Sequence, residues 1–281
     1  AAAGLHEAFD VLNHPRRELA GLAADGGALR KLLLTGADAP TALSGEPGVA
    51  RRVAWSATLP LDAIRATGHR TGTTINDVVV AALTGALRAH LVRRGTPVEE
   101  IRAMVPFNLR PLDEPLPREL GNRFGLVYLP LPVGAEDPAE RLLAVHHRMD
   151  AIKRSPEAAV SFGILEAMGL TPPRVEQRLL DVFTTKATAV MTNVPGPRRP
   201  VWFAGTRLAG VLGWVPTAGR AGVGVSIFSY AGGLTMGLQV DAGLVPEPET
   251  IVADFESELA ALRALRGPFG HRRRTRATAR R

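Results

Sequence analysis

His146, His147 and Asp150 form the one grouping whose spacing could support acid–base chemistry, since in an H-x-x-x-D pattern Asp150 could orient His146 as a proton acceptor. The same spacing inside a helix merely places i and i+4 on one face. Arg148, Lys153 and Arg154 share this stretch, which favours a solvated helix surface. Asn76-Asp77 is a second constellation, a polar pair in an otherwise apolar run whose donors and acceptors need a cap, a backbone partner or something in a cleft. A third is Thr192-Asn193-Val194-Pro195-Gly196-Pro197, in which Pro-Gly-Pro fixes a turn directly after a strand and aims the Asn193 amide at the strand end. Such a turn is either pure structure or the wall of a cleft. Arg110, Asn122 and Arg123 flank a proline-rich loop, and spacing alone does not separate a site role from ordinary polarity at a loop boundary.

Other chemistries are excluded by absence. There is no H-E-x-x-H for zinc, no G-x-S-x-G nucleophile elbow and no Gly-Lys-Ser/Thr phosphate loop. The chain has no cysteine, so disulfides, thiolate metal sites and thiol nucleophiles are out. Gly219, Gly222 and Gly224 precede a strand rather than a helix and make no dinucleotide fingerprint. No metal and no cofactor is expected.

The elements that must position these groups begin with Thr73 to Gly95. Thr74 and Asp77 fit a capping box, Val78 to Leu83 is apolar all round, and Leu83, Leu87 and Leu91 continue a stripe opposite Arg88, Arg93 and Arg94. Gly95 is the expected stop. Before it, Pro15 to Leu34 reads as a helical pair turning at Asp25-Gly26-Gly27. Gly36 to Gly48 reads as a surface loop outside the core, Val53 to Leu59 as a strand and Pro60 to Gly68 as a short helix. After it come strands at Ile101 to Leu109, where Pro106 argues for an edge or an end, and at Arg123 to Val133. Helices follow at Asp137 to Arg154, Pro156 to Gly169 and Pro173 to Phe183. The last third reads as strands at Ala187 to Thr192, Arg207 to Val215, Val223 to Tyr230 and Leu234 to Val240, with a hairpin turn at Ala231-Gly232-Gly233. Pro248 to Leu265 is a closing amphipathic helix. Strands and helices mix without strict βαβ alternation, so the fold class is α/β, a mixed β-sheet with packed helices.

With 281 residues, 46% of them apolar, the chain can bury a substantial core. The formal charge of +7 resides almost wholly in the tail, since the six arginines of His271 to Arg281 leave +1 for the rest. That tail is expected to be disordered. It has no interleaved aromatics, which argues against nucleic acid and leaves anionic lipid as the next contact after plain solvation. No membrane-spanning run and no signal segment are evident, and the opening Ala1 points to something upstream.

Five stretches together resemble one family. Thr74-Ile-Asn-Asp-Val-Val, Met104-Val-Pro-Phe-Asn-Leu-Arg110, Gly121-Asn-Arg-Phe124, Thr192-Asn-Val-Pro-Gly-Pro197 and Ser229-Tyr-Ala-Gly-Gly-Leu234 stand in the order seen in the carboxy-terminal half of bacterial wax ester synthase/diacylglycerol acyltransferases. Thr41-Ala-Leu-Ser44-Gly45 resembles that family's lead-in, with Ser for Asn. The likeness implies half of the two-domain, chloramphenicol-acetyltransferase-like fold. It divides the chain into a helical lead-in and interdomain connector (1–48), an acyltransferase carboxy-terminal domain (49–268) and a basic tail (269–281). It also implies acyl transfer from acyl-CoA, as substrate rather than cofactor, to a diacylglycerol or long-chain alcohol.

In that family a His-His-x-x-x-Asp-Gly motif of the amino-terminal half supplies the catalytic base. This chain lacks the motif: His146-His147-Arg-Met-Asp150-Ala151 is one residue short and has no Gly. No catalytic residue is therefore expected in the chain, and an amino-terminal half, in cis or in trans, is the expected partner. By the same resemblance Asn76, Asp77, Arg110, Asn122 and Arg123 support the site, while Asn193, Pro195 and Gly196 line the acyl tunnel. The implied location is cytoplasmic, with peripheral contact to the inner face of the plasma membrane or to lipid inclusions. Two alternatives stand beside this reading: a diverged enzyme using His146 as its base, and a non-catalytic lipid-binding or interaction domain.

Overall fold

In the computed structural model, residues 26, 27, 30, 32, 34–109, 123–217 and 221–266 are described. The fold is arranged around helix α2 (Ile75–Arg93), both of whose ends are set by short-range chemistry. At its start the Thr74 hydroxyl accepts from the Asp77 N–H at 3.2 Å, and the Asp77 carboxylate accepts from the Thr74 N–H at 2.9 Å. This is the expected capping box, which satisfies two orphan donors at once. At its end Gly95 takes φ +68°, the Gly95 N–H bonds the Val92 carbonyl at 3.1 Å, and the Thr96 N–H bonds the Leu91 carbonyl at 3.0 Å. Those two bonds are a Schellman stop, and they need a residue that tolerates positive φ. Between the caps, Val78 to Leu83 are fully enclosed, as are Leu87 and Leu91. By length and composition α2 could cross a membrane, but 72% of that window is buried inside the domain.

Seven strands form one mixed sheet in the order β1-β9-β8-β5-β3-β4, with β2 paired to β9. They are β1 (Arg51–Trp55), β2 (Leu59–Pro60), β3 (Ile101–Asn108), β4 (Phe124–Leu131), β5 (Ala189–Pro195), β8 (Val223–Tyr230) and β9 (Gly233–Asp241). β5 runs parallel to both β3 and β8, and the other pairings are antiparallel. A separate two-stranded hairpin joins β6 (Trp202–Phe203) to β7 (Thr206–Arg207). The remaining helices are α1 (Leu61–Thr71), α3 (Pro138–Lys153), α4 (Glu157–Gly169), α5 (Pro173–Thr184) and α6 (Pro248–Ala264).

Alternation along β4 separates two cores. Val127, Leu129 and Leu131 join α2, α3 and α6 in the main cluster, whereas Leu126 and Tyr128 face Met104, Ile164 and Phe183 on the other side. α6 presents Ile251, Phe255, Leu259 and Leu262 to α2, as its periodicity requires.

Several expectations are corrected. Gly36 to Gly48 is not excluded from the core, because Leu43 is fully buried in the main cluster. Asp38 in the same stretch receives the Arg102 and Thr188 N–H groups at 2.8 and 3.1 Å. Apolar and acidic side chains can drop inward from a loop whose backbone crosses a surface. Gly26 and Gly27 are helical rather than a turn; glycine costs a helix about 1 kcal/mol, which a leucine-rich segment can absorb. Arg30, Leu32 and Leu34 are helical too; the other residues of the expected helical pair lie outside the described residues, as do the 110–121 loop and the basic tail.

Val53 to Leu59 divides into β1 and β2. Of Arg207 to Val215, only Arg207 is in a strand. The following segment lies across the sheet face instead of pairing at an edge. The Ser226 hydroxyl donates to the Gly213 carbonyl, and Trp214 meets Trp55 edge-on at 6.2 Å. A Cβ at Gly237 would stand 2.5 Å from the Gly213 carbonyl and one at Gly224 2.7 Å from that of Val215, so those two strand glycines admit the crossing. Apolar alternation reports a half-buried segment, and here the burying partner is a sheet face rather than a ladder.

Candidate functional site

β3 and β5 start side by side but stay paired only at Ala103↔Ala189 and Met104↔Val190. Beyond that point β3 follows β4 as far as Asn108↔Phe124, and β5 follows β8 as far as Pro195↔Ser229. Pro106 lies where β3 has kept one neighbour and lost the other, the position that tolerates a residue without an N–H. β3 is thus an interior strand whose second half behaves as an edge, which reconciles its proline with its place in the sheet. Ligand crevices of α/β sheets form at such openings beyond strand carboxyl ends. A cleft of about 760 Å³ opens here, walled by Ile75 and Asn76 of α2, Val105 and Phe107 of β3, and Asn193 and Pro195 of β5.

The cleft closes on an amide pair. Asn193 Nδ2 donates to Asn76 Oδ1 at 2.7 Å, joining the end of β5 to the first turn of α2. The Pro-Gly-Pro turn is fastened to β8: the Gly196 N–H bonds the Ser229 carbonyl at 2.9 Å, and the Ala231 N–H bonds the Pro197 carbonyl at 2.9 Å. A Cβ at Gly196 would sit 2.2 Å from that Ser229 oxygen, so the close approach requires glycine. Asn76, Asn193, Pro195 and Gly196 accordingly line one cavity.

Asp77 faces the opposite way. It is completely buried, behind rather than in the cleft, and its Oδ2 accepts from the Thr74 N–H and meets His146 Nδ1 at 2.8 Å. The expected solvated face around His146 is therefore not what the fold makes of it. Asp150 stands 3.7 Å from Nε2, so the closer carboxylate comes from α2 and not from the H-x-x-x-D spacing. No histidine is among the described residues lining the cleft, and His147 is exposed. Arg123 is exposed, with its carbonyl bonded to the Leu109 N–H, and does not line the cleft. Arg110 and Asn122 lie outside the described residues.

Sequence reasoning missed Met149 and Lys153 of α3, which also wall the cleft, and Tyr230. Tyr230 accepts from the Val201 N–H and donates to the Leu208 carbonyl, both at 2.9 Å, tying the β6–β7 hairpin to the cleft mouth. Met149 and Lys153 follow His146 at helical spacing, a signal that was present. Among the described residues no group of three or more His, Asp or Glu could hold a metal.

Residues 120–263, about half of the chain, match the family model of the WS/DGAT C-terminal domain. The chain belongs to this family. It is 29% identical over 233 residues to a probable diacylglycerol O-acyltransferase of Mycobacterium tuberculosis, covering 81% of this chain and 50% of that protein. A second such protein from the same organism is 30% identical over 223 residues, covering 76% of this chain and 48% of its own length. The chain thus spans about half the length of the curated relatives it matches.

Among solved structures, a wax ester synthase/diacylglycerol acyltransferase from Marinobacter aquaeolei superposes with TM-score 0.60 at 24% identity, over 85% of this chain and 55% of that one. The epimerization domain from the third module of tyrocidine synthetase B superposes with TM-score 0.55 at 14% identity, over 83% and 53%. At these identities the likeness is one of fold.

Proposed function

We propose that the chain is the carboxy-terminal half of a lipid O-acyltransferase and forms one wall of a reaction chamber in which an acyl-CoA thioester meets the hydroxyl of a diacylglycerol or a long-chain alcohol. The observation that carries this reading is the cleft at the β3/β5 opening, closed by the Asn76–Asn193 amide pair and with no histidine among its described lining residues. Acyl transfer needs a base to remove the hydroxyl proton as oxygen attacks the thioester carbonyl, and donors for the oxyanion that forms. The chain offers amide donors and a wall that mixes apolar side chains with the charges of Lys153 and Arg198. The base comes from an amino-terminal half, in keeping with the half-length match to its relatives.

In this reading Asn193 holds Asn76 by its oxygen and leaves the Asn76 amide hydrogens for the substrate side. Gly196 and the flanking prolines hold that geometry rigid. This reading does not use His146 as the base, because its ring does not line the cleft.

The test is an acyl-transfer assay with acyl-CoA and diacylglycerol or hexadecanol, on the chain alone and mixed with the amino-terminal half of a relative. Turnover is expected only in the mixture, and Asn76→Ala is expected to lower its kcat at least tenfold. Turnover by the chain alone, or none in either setting, would overturn the proposal.

A further inference from the structure

Asp77 is a carboxylate for which the acyl-transfer chemistry has no use. Its side chain is completely buried, and it follows Asn76 in the first turn of α2. One oxygen, Oδ1, has no hydrogen-bond partner among the described residues. The other, Oδ2, accepts from the Thr74 N–H at 2.9 Å and meets His146 Nδ1 at 2.8 Å. An ionised carboxylate can only accept, so Nδ1 carries the hydrogen of that contact.

A carboxylate withdrawn from water is costly unless donors replace the solvent. Asp77 has two such donors among the described residues, and they differ in origin. The Thr74 N–H belongs to the cap of α2 itself, whereas His146 comes from α3, 69 residues further along the chain. The imidazole therefore supplies the tertiary half of the compensation, as a charge-assisted bond.

The placement of His146 on α3 gives that bond a consequence for the cleft. His146, Met149 and Lys153 stand at i, i+3 and i+7, on one face of the helix. Met149 and Lys153 wall the cleft, and His146 reaches behind it to Asp77. One face of α3 thus forms part of the wall and also pins the turn of α2 that carries Asn76. His147, its neighbour in sequence, is exposed.

We propose that His146 is a positioning residue for the site: by donating to Asp77 from Nδ1 it fixes the first turn of α2 against α3, and with it the Asn76 amide and its bond to Asn193. It touches no substrate. Without this donor the buried carboxylate keeps only the Thr74 N–H, and the turn yields to bring Asp77 to water. The consequence for turnover rests on the acyl-transfer reading; the consequence for the amide pair does not.

The side-chain amide signals of Asn76 and Asn193, in nuclear magnetic resonance spectra of the isotope-labelled 281-residue chain, report the pair directly. The Asn193 hydrogen held by Asn76 Oδ1 is expected downfield of its free partner, and His146→Leu is expected to erase that separation in a protein whose near-UV circular dichroism is unchanged. His146→Asn, whose Nδ2 takes the place of Nδ1, should restore it. His146→Gln, whose amide extends to the place of Nε2, should not, and His147→Leu should leave the signals alone. In the mixture with the amino-terminal half of a relative, His146→Leu should lower kcat at least about tenfold with KM for acyl-CoA within about twofold, because an amide aimed at the oxyanion acts on the transition state. His146→Asn should recover most of that loss.

A separation retained in His146→Leu, or one that His146→Asn fails to restore, overturns the proposal, as does a broken pair with undiminished kcat in an active mixture. If His146→Leu does not fold, His146→Gln decides in its place, and a retained separation there overturns the proposal. No turnover in any mixture, with the amide signals moving as expected, would remove the proposed acyl transfer and leave His146 holding the turn.

Discussion

The two faces of the sheet are built on different terms. On the α2 face the side chains form one continuous cluster of almost complete burial, and even its cation is enclosed: Arg141 of α3 donates to the Ala135 carbonyl at 2.8 Å and the Glu136 carbonyl at 3.1 Å, and pairs with Glu258. On the α4–α5 face the buried cluster among the described residues is Leu32, Met104, Tyr128 and Ala187, and a cavity remains beside it. The contrast teaches a division of labour. The close-packed face holds the domain together, while the looser face and the opened strand ends leave space that side chains do not fill.

The contrast breaks most directly at Arg141. Removing its guanidinium empties a packed interior and leaves three carbonyls, of Ala81, Ala135 and Glu136, and the part-exposed Glu258 without their donor, so Arg141→Ala should cost about 3–5 kcal/mol in denaturant unfolding, with all probes moving together. Gly125 is the counterpart on the other face: α4 packs so closely on β4 that a Cβ there would fall 1.8 Å from the Ala158 carbonyl. Gly125→Ala should cost less, about 1–3 kcal/mol, and its effect should be local. Hydrogen exchange should accelerate in α4 and α5 while α2 and α6 keep their protection. If Gly125→Ala instead opened α2, the two faces would be a single cooperative unit and the division would fail.

A third substitution sharpens the boundary between them. Thr74 caps α2 and stands two residues before Asn76, which belongs to the cleft. Thr74→Ala should lower stability by about 1 kcal/mol, and the loss should appear as fraying of the first turn. Thr74→Ser, which keeps the hydroxyl, should restore it. Because the Asp77 carboxylate is also held by His146, part of the first turn survives loss of the cap, and the effect should stay well below that of Arg141→Ala.

The sequence disclosed the α2 face better than the far one, for physical reasons. Capping boxes, Gly stops, helical stripes and type I′ turns are local, and each appeared where its residues called for it. The β8–β9 turn, with Ala231 at φ +46° and Gly232 at +86°, is one of them. The Asn76–Asn193 contact joins residues 117 apart in sequence; both amides stood out, but no spacing rule states that they touch. His146 was harder, because i,i+4 logic proposed Asp150 while tertiary packing supplied Asp77. Arg141 and Asp38 were invisible as buried charges, since nothing in a helix or loop pattern marks which charged side chain will turn inward. The cavity between α4, α5 and the sheet is a packing deficit, and local sequence does not encode volume.

The smallest expected effect, and the most selective for the α2 face, is a dependence on pH through His90 at the end of α2. Its ring is buried, and its Nε2 has no hydrogen-bond partner among the described residues. Burial first, and then the charges of Arg93 and Arg94, hold its pKa below the ordinary 6.5, opposed by Asp254, which is itself paired with Arg93. The folded protein therefore keeps this imidazole neutral, while the unfolded chain takes up a proton below about pH 6.5. Where the unfolded state binds more protons, stability falls as pH falls. The contribution is complete above that pH and is lost progressively on the acid side, down to the folded-state pKa. Comparing denaturant midpoints at pH 7.5 and 5.5 should show a drop that His90→Leu diminishes. Exchange rates in α4 and α5, corrected for intrinsic pH dependence, should show the same pH response in both proteins. A His90→Leu variant with an undiminished acid drop would place the titrating group elsewhere. If the variant altered α4–α5 exchange, the α2 face would be transmitting its protonation through the sheet, and the two faces would be coupled after all.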